Sequence, residues 1–347
     1  MLLLISTVCG IMSGTAATAL TVWVLGRRAL VDVPNDRSSH TTPTVRGGGI
    51  GLATGTLVAL AIAHTDLVGS ADVALVIAGV GFAAIGFADD LTGALPVTVR
   101  LALQFLTAAG VVAVLWEHTS DGLLPVALVG AVATLWIVSF VNAFNFMDGI
   151  NGISCAEAIV CGVAFFLLAR NRHQLVLHVA ALALVAGSIG FAPFNFPTAR
   201  VFLGDVGSYF AGAWLAVLVV IGLRASIPVD AMVAPVALYV ADTGVTLARR
   251  MRRHEAWRQA HHQHTYQRLV DLGWSHTQTT GLVFMLVTLC SALGSVSLLG
   301  SVPGRVAADC GVAGLVGAYL VLPGLIEHRH VSPLDETSRT FRSGTDE

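Results

Sequence analysis

Residues 175–210 read LVLHVAALALVAGSIGFAPFNFPTARVFLGDVGSYF, and this stretch decides the fold. Leu175–Ala192 is apolar apart from His178 and Ser188. That is close to the ~20 mostly apolar residues a helix needs to cross a bilayer's hydrocarbon. The run stops at Asn195-Phe-Pro197 and Arg200. Phe202-Leu-Gly-Asp205-Val-Gly-Ser208 then leads into a second apolar run, Tyr209–Leu223. Two spans are thus joined by a polar loop with a carboxylate at the entrance of the second.

Nine more runs of this kind flank the pair: Leu2–Leu25, Gly48–Val68, Ala74–Phe87, Val99–Trp116, Leu123–Val141, Ile153–Leu168, Ala231–Leu247, Thr280–Gly300 and Val306–Ile326. The expected fold is therefore all-α, a polytopic membrane protein with about 11 transmembrane helices, or ten. Composition agrees, since 55% of the 347 residues are hydrophobic and only 12% charged, against about 25% charged in a soluble domain. Residues 1–327 are expected to form one transmembrane catalytic domain, and 328–347 a disordered cytoplasmic tail. The first run lacks a basic n-region, and Arg27 and Arg28 follow it, so it reads as a retained anchor with its N-terminus outside. The five cysteines form no CxxC and no zinc spacing, and read as small buried hydrophobes.

All 19 basic residues are arginines, which gives the topology a clean count. Fifteen fall on alternate loops beginning with residues 27–46 and ending with the tail; the opposite loops hold Arg170, Arg172, Arg224 and Arg305. The positive-inside rule puts the first set, and the C-terminus, in the cytoplasm of a cell with this protein in its inner membrane.

The polar residues that hydropathy does not explain collect on those same loops. They include Asp32 to His40, Pro43 to Gly49, Asp89-Asp90, Asn142 to Asp148, Asn195 to Pro197, Phe202 to Ser208 and Ala260 to Gln267. Carboxylates at a membrane boundary are costly unless paired, hydrated or bound to a cation. Asp89, Asp90, Asp148 and Asp205 are the hard oxygen ligands Mg²⁺ takes together with substrate phosphates. His261 and His264, three residues apart in an arginine-rich segment, suit a phosphate ligand better than zinc. A secondary transporter would also carry intramembrane acids, but near the midplane and in repeated halves. No nucleic-acid partner is expected.

These segments, in this order, resemble the polyprenyl-phosphate N-acetylhexosamine-1-phosphate transferase superfamily. Asp32-x-Pro34-Asn-x-Arg37-x-x-His40-x-x-Pro43 is similar to its first cytoplasmic loop, and Asp89-Asp90 with Arg100 to its paired-aspartate motif. Asn142-x-x-Asn145-x-x-Asp148-Gly-Ile-Asn151-Gly resembles NxxNxxDGxDGL, with Asn151 replacing the second Asp. Phe202-Leu-Gly-Asp205-x-Gly-Ser208 resembles FMGDxGS. The histidine segment AHHQHTYQ and the RGGG of the first loop are most like the branch that initiates O-antigen, with UDP-N-acetylfucosamine or UDP-N-acetylquinovosamine as donors. That argues against muramoyl-pentapeptide as substrate, leaving it and UDP-GlcNAc as alternatives within the family.

The resemblance implies transfer of a HexNAc-1-phosphate from a UDP-sugar to polyprenyl phosphate with release of UMP, at the cytoplasmic face of the bilayer. It implies Mg²⁺, with Mn²⁺ as substitute, held by Asp205 and Asp89. Asp89 would alternatively deprotonate the acceptor, with Asp90 in support. Asn142, Asn145 and Asp148 would hold nucleotide or metal, and Phe202 would pack on uracil. Arg37, His40, Arg46, His261 and His264 would bind phosphates. A homodimer is the assembly considered.

Overall fold

The computed structural model describes residues 1–27, 31–32, 43–63, 69–93, 95–117, 123–253 and 263–331. Arg37, His40, His261 and the end of the C-terminal tail lie outside the described residues. The helices are α1 (Leu2–Arg27), α2 (Gly49–Ala63), α3 (Ser70–Thr92), α4 (Val97–Trp116), α5 (Leu123–Met147), α6 (Ile153–Asn171) and α7 (Leu175–Asn195). They continue as α8 (Gly204–Arg224), α9 (Val229–Val233), α10 (Ala237–Arg252), α11 (Thr265–Asp271), α12 (His276–Ser295) and α13 (Val302–Val331).

Among the described residues, every apolar run contributes a helix. Ten helical segments among the described residues are long and apolar enough to cross a membrane, with α9 and α10 counted together. The eleventh run yields α2, a shorter apolar helix of 15 residues. The run at 231–247 is not one regular helix. A 3₁₀ turn at Ala234–Val236 separates α9 from α10, where Pro235 has no N–H to continue the ladder. The last helix reaches Val331, past the expected end of the membrane domain at residue 327.

The chain is not wholly helical. Three short strands, β1 (Val31–Asp32), β2 (Thr44–Arg46) and β3 (Val201–Phe202), form a small sheet in the order β1-β2-β3. β1 and β2 pair antiparallel, whereas β2 and β3 are parallel, with Arg46 opposite Phe202. The pairing continues into the helix starts, where Gly48 N donates to Phe202 O at 2.8 Å and Gly49 N to Leu203 O at 2.8 Å. Strands this short carry no readable alternation, so hydropathy passes over them.

Helix α8 is the centre of the bundle. Nearly all of its residues are buried, and it packs on α2, α3, α5, α6 and α7. Glycines set how closely its neighbours approach. A Cβ on Gly49 of α2 would lie 2.2 Å from the Gly207 Cα, and one on Gly86 of α3 would lie 2.1 Å from the Asp205 carbonyl oxygen. In lipid there is little hydrophobic drive between helices, so such backbone contact supplies the packing. The apolar core runs from Leu52 and Phe82 through Phe144 and Trp214 to Tyr239.

Candidate active site

The close α3–α8 contact brings three carboxylates together. Asp90 reaches from α3 to the start of α8, where its Oδ1 accepts from Asp205 N at 3.1 Å and its Oδ2 from Val206 N at 3.0 Å. Leu203 precedes the helix and has no side-chain acceptor to offer, so Asp90 caps α8 from another helix. The first N–H groups of a helix lack internal partners and carry its positive dipole end, which a carboxylate satisfies on both counts.

Arg46, at the end of β2, ties the group together. Its Nε lies 2.8 Å from Asp90 Oδ1 and its NH2 group 2.7 Å from Asp205 Oδ1. Asn145 of α5 donates from Nδ2 to Asp205 Oδ1 at 3.0 Å and to Ser208 Oγ at 2.8 Å. Asp89 accepts from Leu95 N at 2.7 Å and pairs with Arg100 of α4 at 2.7 Å. Across the α3–α8 contact the Asp89 and Asp205 carboxyls are electrostatic neighbours. Neighbouring carboxylates repel, so a proton or a cation beside them is favoured.

Three buried donors near these acids have no protein acceptor: Arg100 Nε, Gln104 Nε2 and Tyr209 OH. An unsatisfied buried donor costs about 1–3 kcal/mol, so this region suits water or an anionic oxygen. Asn142 turns the other way. Its Nδ2 donates to Gln104 Oε1 at 2.7 Å and to Val138 O at 2.8 Å, which places it on α4 rather than on Asp205.

Asp148 lies between α5 and α6 and accepts from Ser154 Oγ at 2.6 Å. Burial pushes its carboxyl up to about 7; the Ser154 bond opposes this, and the negative charge of Asp205 adds to it. Asn151 does not join the acids. Its N–H donates to His276 Nδ1 at 3.4 Å, and its Nδ2 donates to Pro197 O at 3.2 Å. Asn195 is a brace too, accepting from Gly152 N at 2.8 Å and donating to Val201 O at 3.0 Å. Phe202 is half-buried on β3, directly opposite Arg46.

His264 sits at the same end of the bundle but in a second cluster. Its ring stacks against Phe146 and Tyr266, and its Nδ1 lies 3.4 Å from Asp242 Oδ1. Asp242 of α10 is fully buried and also accepts from Thr265 N, Thr246 Oγ1 and, across to α13, Tyr319 OH at 3.0 Å. Tyr266 OH donates to Phe146 O at 2.9 Å, fastening α11 to the Asn145–Asp148 turn. Asp242, Tyr319 and Ser154 are therefore site-building residues beyond those expected, whereas Arg100 takes the place beside Asp89 that the paired-aspartate motif implied. A lone acid within an apolar run, at 242, was the available signal for the first.

The family model for glycosyl transferase family 4 matches residues 73–223, a segment that contains Asp89, Asp90, Asn145, Asp148 and Asp205. The chain is 29% identical over 362 aligned residues to the decaprenyl-phosphate N-acetylglucosaminephosphotransferase of Mycolicibacterium smegmatis, covering 90% of this chain and 88% of that one. It is 26% identical to a probable undecaprenyl-phosphate N-acetylglucosaminyl 1-phosphate transferase of Bacillus subtilis, over 45% of this chain and 44% of the relative. To the phospho-N-acetylmuramoyl-pentapeptide-transferase of Streptococcus pneumoniae serotype 2 it is 31% identical, over 56% and 64% respectively. With the matched segment spanning the carboxylate cluster and a relative aligned along most of both chains, the protein is similar to glycosyl transferase family 4 and to the polyprenyl-phosphate sugar-1-phosphate transferases.

Proposed function

We propose that this protein transfers a HexNAc-1-phosphate from a UDP-sugar to polyprenyl phosphate and releases UMP, at the cytoplasmic face of the inner membrane. The observation that carries the reading is the cluster of Asp89, Asp90 and Asp205, in which Arg46 bridges Asp90 and Asp205, Asn145 holds Asp205 and Arg100 pairs with Asp89. A phosphate oxygen of the acceptor would attack the β-phosphorus of the donor. The bond from that phosphorus to the bridging oxygen breaks, and UMP leaves with the electron pair. Such a transfer asks the protein for in-line positioning and charge neutralisation.

The residues fit a divalent cation, although no ready cage of three or more ligands exists among the described residues. Mg²⁺ takes one or two carboxylates and fills its shell with substrate phosphates and water, and the Asp89–Asp205 pair supplies that number. Asp205 and Asp89 would hold Mg²⁺, or Mn²⁺ in its place. The ion would neutralise the donor diphosphate. Asp90 supports the site by fixing the start of α8. Arg46 and Arg100 supply positive charge beside the acids, with Arg37, His40, His261 and His264 as further phosphate partners. Asn145 would orient Asp205, Asp148 the nucleotide, and Phe202 would face uracil.

The names of the relatives carry N-acetylglucosamine and muramoyl-pentapeptide. UDP-GlcNAc is therefore the first donor to test, ahead of the 6-deoxy HexNAc donors that the histidine segment suggests. Purified protein would be given a panel of labelled UDP-HexNAc donors, Mg²⁺ and polyprenyl phosphate. Label entering a butanol-extractable lipid, with stoichiometric UMP, is the expected result. No lipid-linked label with any donor would refute the reading and favour a transporter.

A further inference from the structure

The end of the bundle away from the carboxylates holds an arginine that the reaction does not use. Arg224 closes α8, one full span from Asp205. It breaks the arginine asymmetry of the chain, and a charge there needs a reason. Arg305, at the same end, has one: its Nε lies 3.0 Å from Asp230 Oδ2. Arg224 has no carboxylate within ion-pair distance among the described residues. Its guanidinium instead lies 4.4 Å over the Trp116 ring and donates to the Leu115 carbonyl, at the end of α4.

Beside it opens an apolar slot of about 470 Å³, walled by α4, α5, α8 and α9. Trp116, Trp136, Val132 and Val220 line it, and Arg224 stands at its edge. The Trp136 indole N–H is already taken, donating to Ala216 O at 3.1 Å, so that ring offers the slot only its apolar surface. The volume lies within the ~300–1,000 Å³ of ordinary ligand sites. A hydrocarbon slot with one uncompensated cation at its edge, held by tryptophan at headgroup depth, matches a molecule with an apolar chain and an anionic head.

We propose that this slot binds an anionic phospholipid from the leaflet opposite the carboxylate site, with an acyl chain between α5 and α8 and the phosphate on Arg224. The site is independent of the transfer reaction and shares no residue with it. The slot is open toward lipid, because Val129 and Val132 of α5 are exposed on its flank. An acyl chain can therefore enter sideways without unpacking the helices.

The test is native mass spectrometry of the full-length protein released from nanodiscs of equal phosphatidylglycerol and phosphatidylcholine with identical chains. The wild type should retain phosphatidylglycerol over phosphatidylcholine by about fivefold, the factor for one basic residue beside an anionic lipid. Arg224→Gln should abolish that preference, and Val132→Trp, which fills the slot, should lower retention of both lipids. An unchanged melting temperature for each variant establishes that folding is intact. Equal retention of the two lipids by the wild type, or a preference that survives Arg224→Gln, overturns the proposal. Displacement of phosphatidylglycerol by stoichiometric polyprenyl phosphate would do so as well, by assigning the slot to the acceptor.

Discussion

Substituting Gly86 by alanine tests whether the carboxylate site is set by backbone contact between α3 and α8. The new Cβ would stand 2.1 Å from the Asp205 carbonyl oxygen and 2.4 Å from its carbonyl carbon. Ordinary van der Waals contact begins at 3.4 Å, so the two helices must part by about 1.3 Å. No flexible side chain can absorb this, because the obstructing atoms are backbone. Overpacking of this kind costs about 1–3 kcal/mol. The residue displaced is also the one whose carboxylate meets Asp89, Arg46 and Asn145. A misplacement of about 1 Å costs on the order of 100-fold in rate, so turnover in the labelled-lipid assay should fall by about that factor. The drop in melting temperature should stay modest. Two controls calibrate the result. Gly81→Ala would meet only the Thr107 methyl group at 2.7 Å, and Gly110→Ala meets nothing within 4 Å; activity should fall slightly in the first and stay unchanged in the second. Wild-type turnover in Gly86→Ala would refute the reasoning.

Asp205→Asn keeps the shape of the side chain but removes its charge; transfer at saturating Mg²⁺ should drop by at least about 100-fold, and near-wild-type transfer would dismiss Asp205 as metal ligand. Asp148 has its folded carboxyl raised to about 7 from 3.8. Its contribution to stability is therefore full below pH ~3.8 and lost as pH rises through ~7. Asp148→Asn should then gain in melting temperature over the wild type between pH 5 and pH 8, measured without substrate, and a pH-independent difference would count against it. Tyr319→Phe leaves buried Asp242 one donor short and should cost about 1–2 kcal/mol, read as a lower denaturation midpoint. An unaffected midpoint would mean that the link between α13 and α10 carries no stability.

The spans were readable because bilayer hydrocarbon imposes one demand on every helix, and runs such as Leu175–Ala192 meet it without help from neighbours. The paired acids were readable for the converse reason: charge at that depth is expensive and stands out. What hydropathy cannot carry is direction. Asn142 and Asn145 are one helical turn apart in one motif, yet one bonds Gln104 on α4 and the other Asp205 on α8. Which way each faces follows from how α5 is wedged between those helices. Asp242 was missed because its partners, His264, Thr265 and Tyr319, come from two other regions of the chain. The strand pair that seats Arg46 beside Phe202 was missed because strands of two or three residues are made by their contacts.

The burial of α8 on all sides has a mechanical consequence. A bilayer that is too thick or too thin makes exposed helices tilt, and each ångström of mismatch costs a fraction of a kcal/mol. Here the least buried of the long apolar helices are α1, α4 and α13. The helix that carries Asp205 is shielded from that strain by its neighbours. The perimeter can lean to match the membrane while the axle holds still, so the position of Asp205 is insulated from the thickness of the bilayer around it.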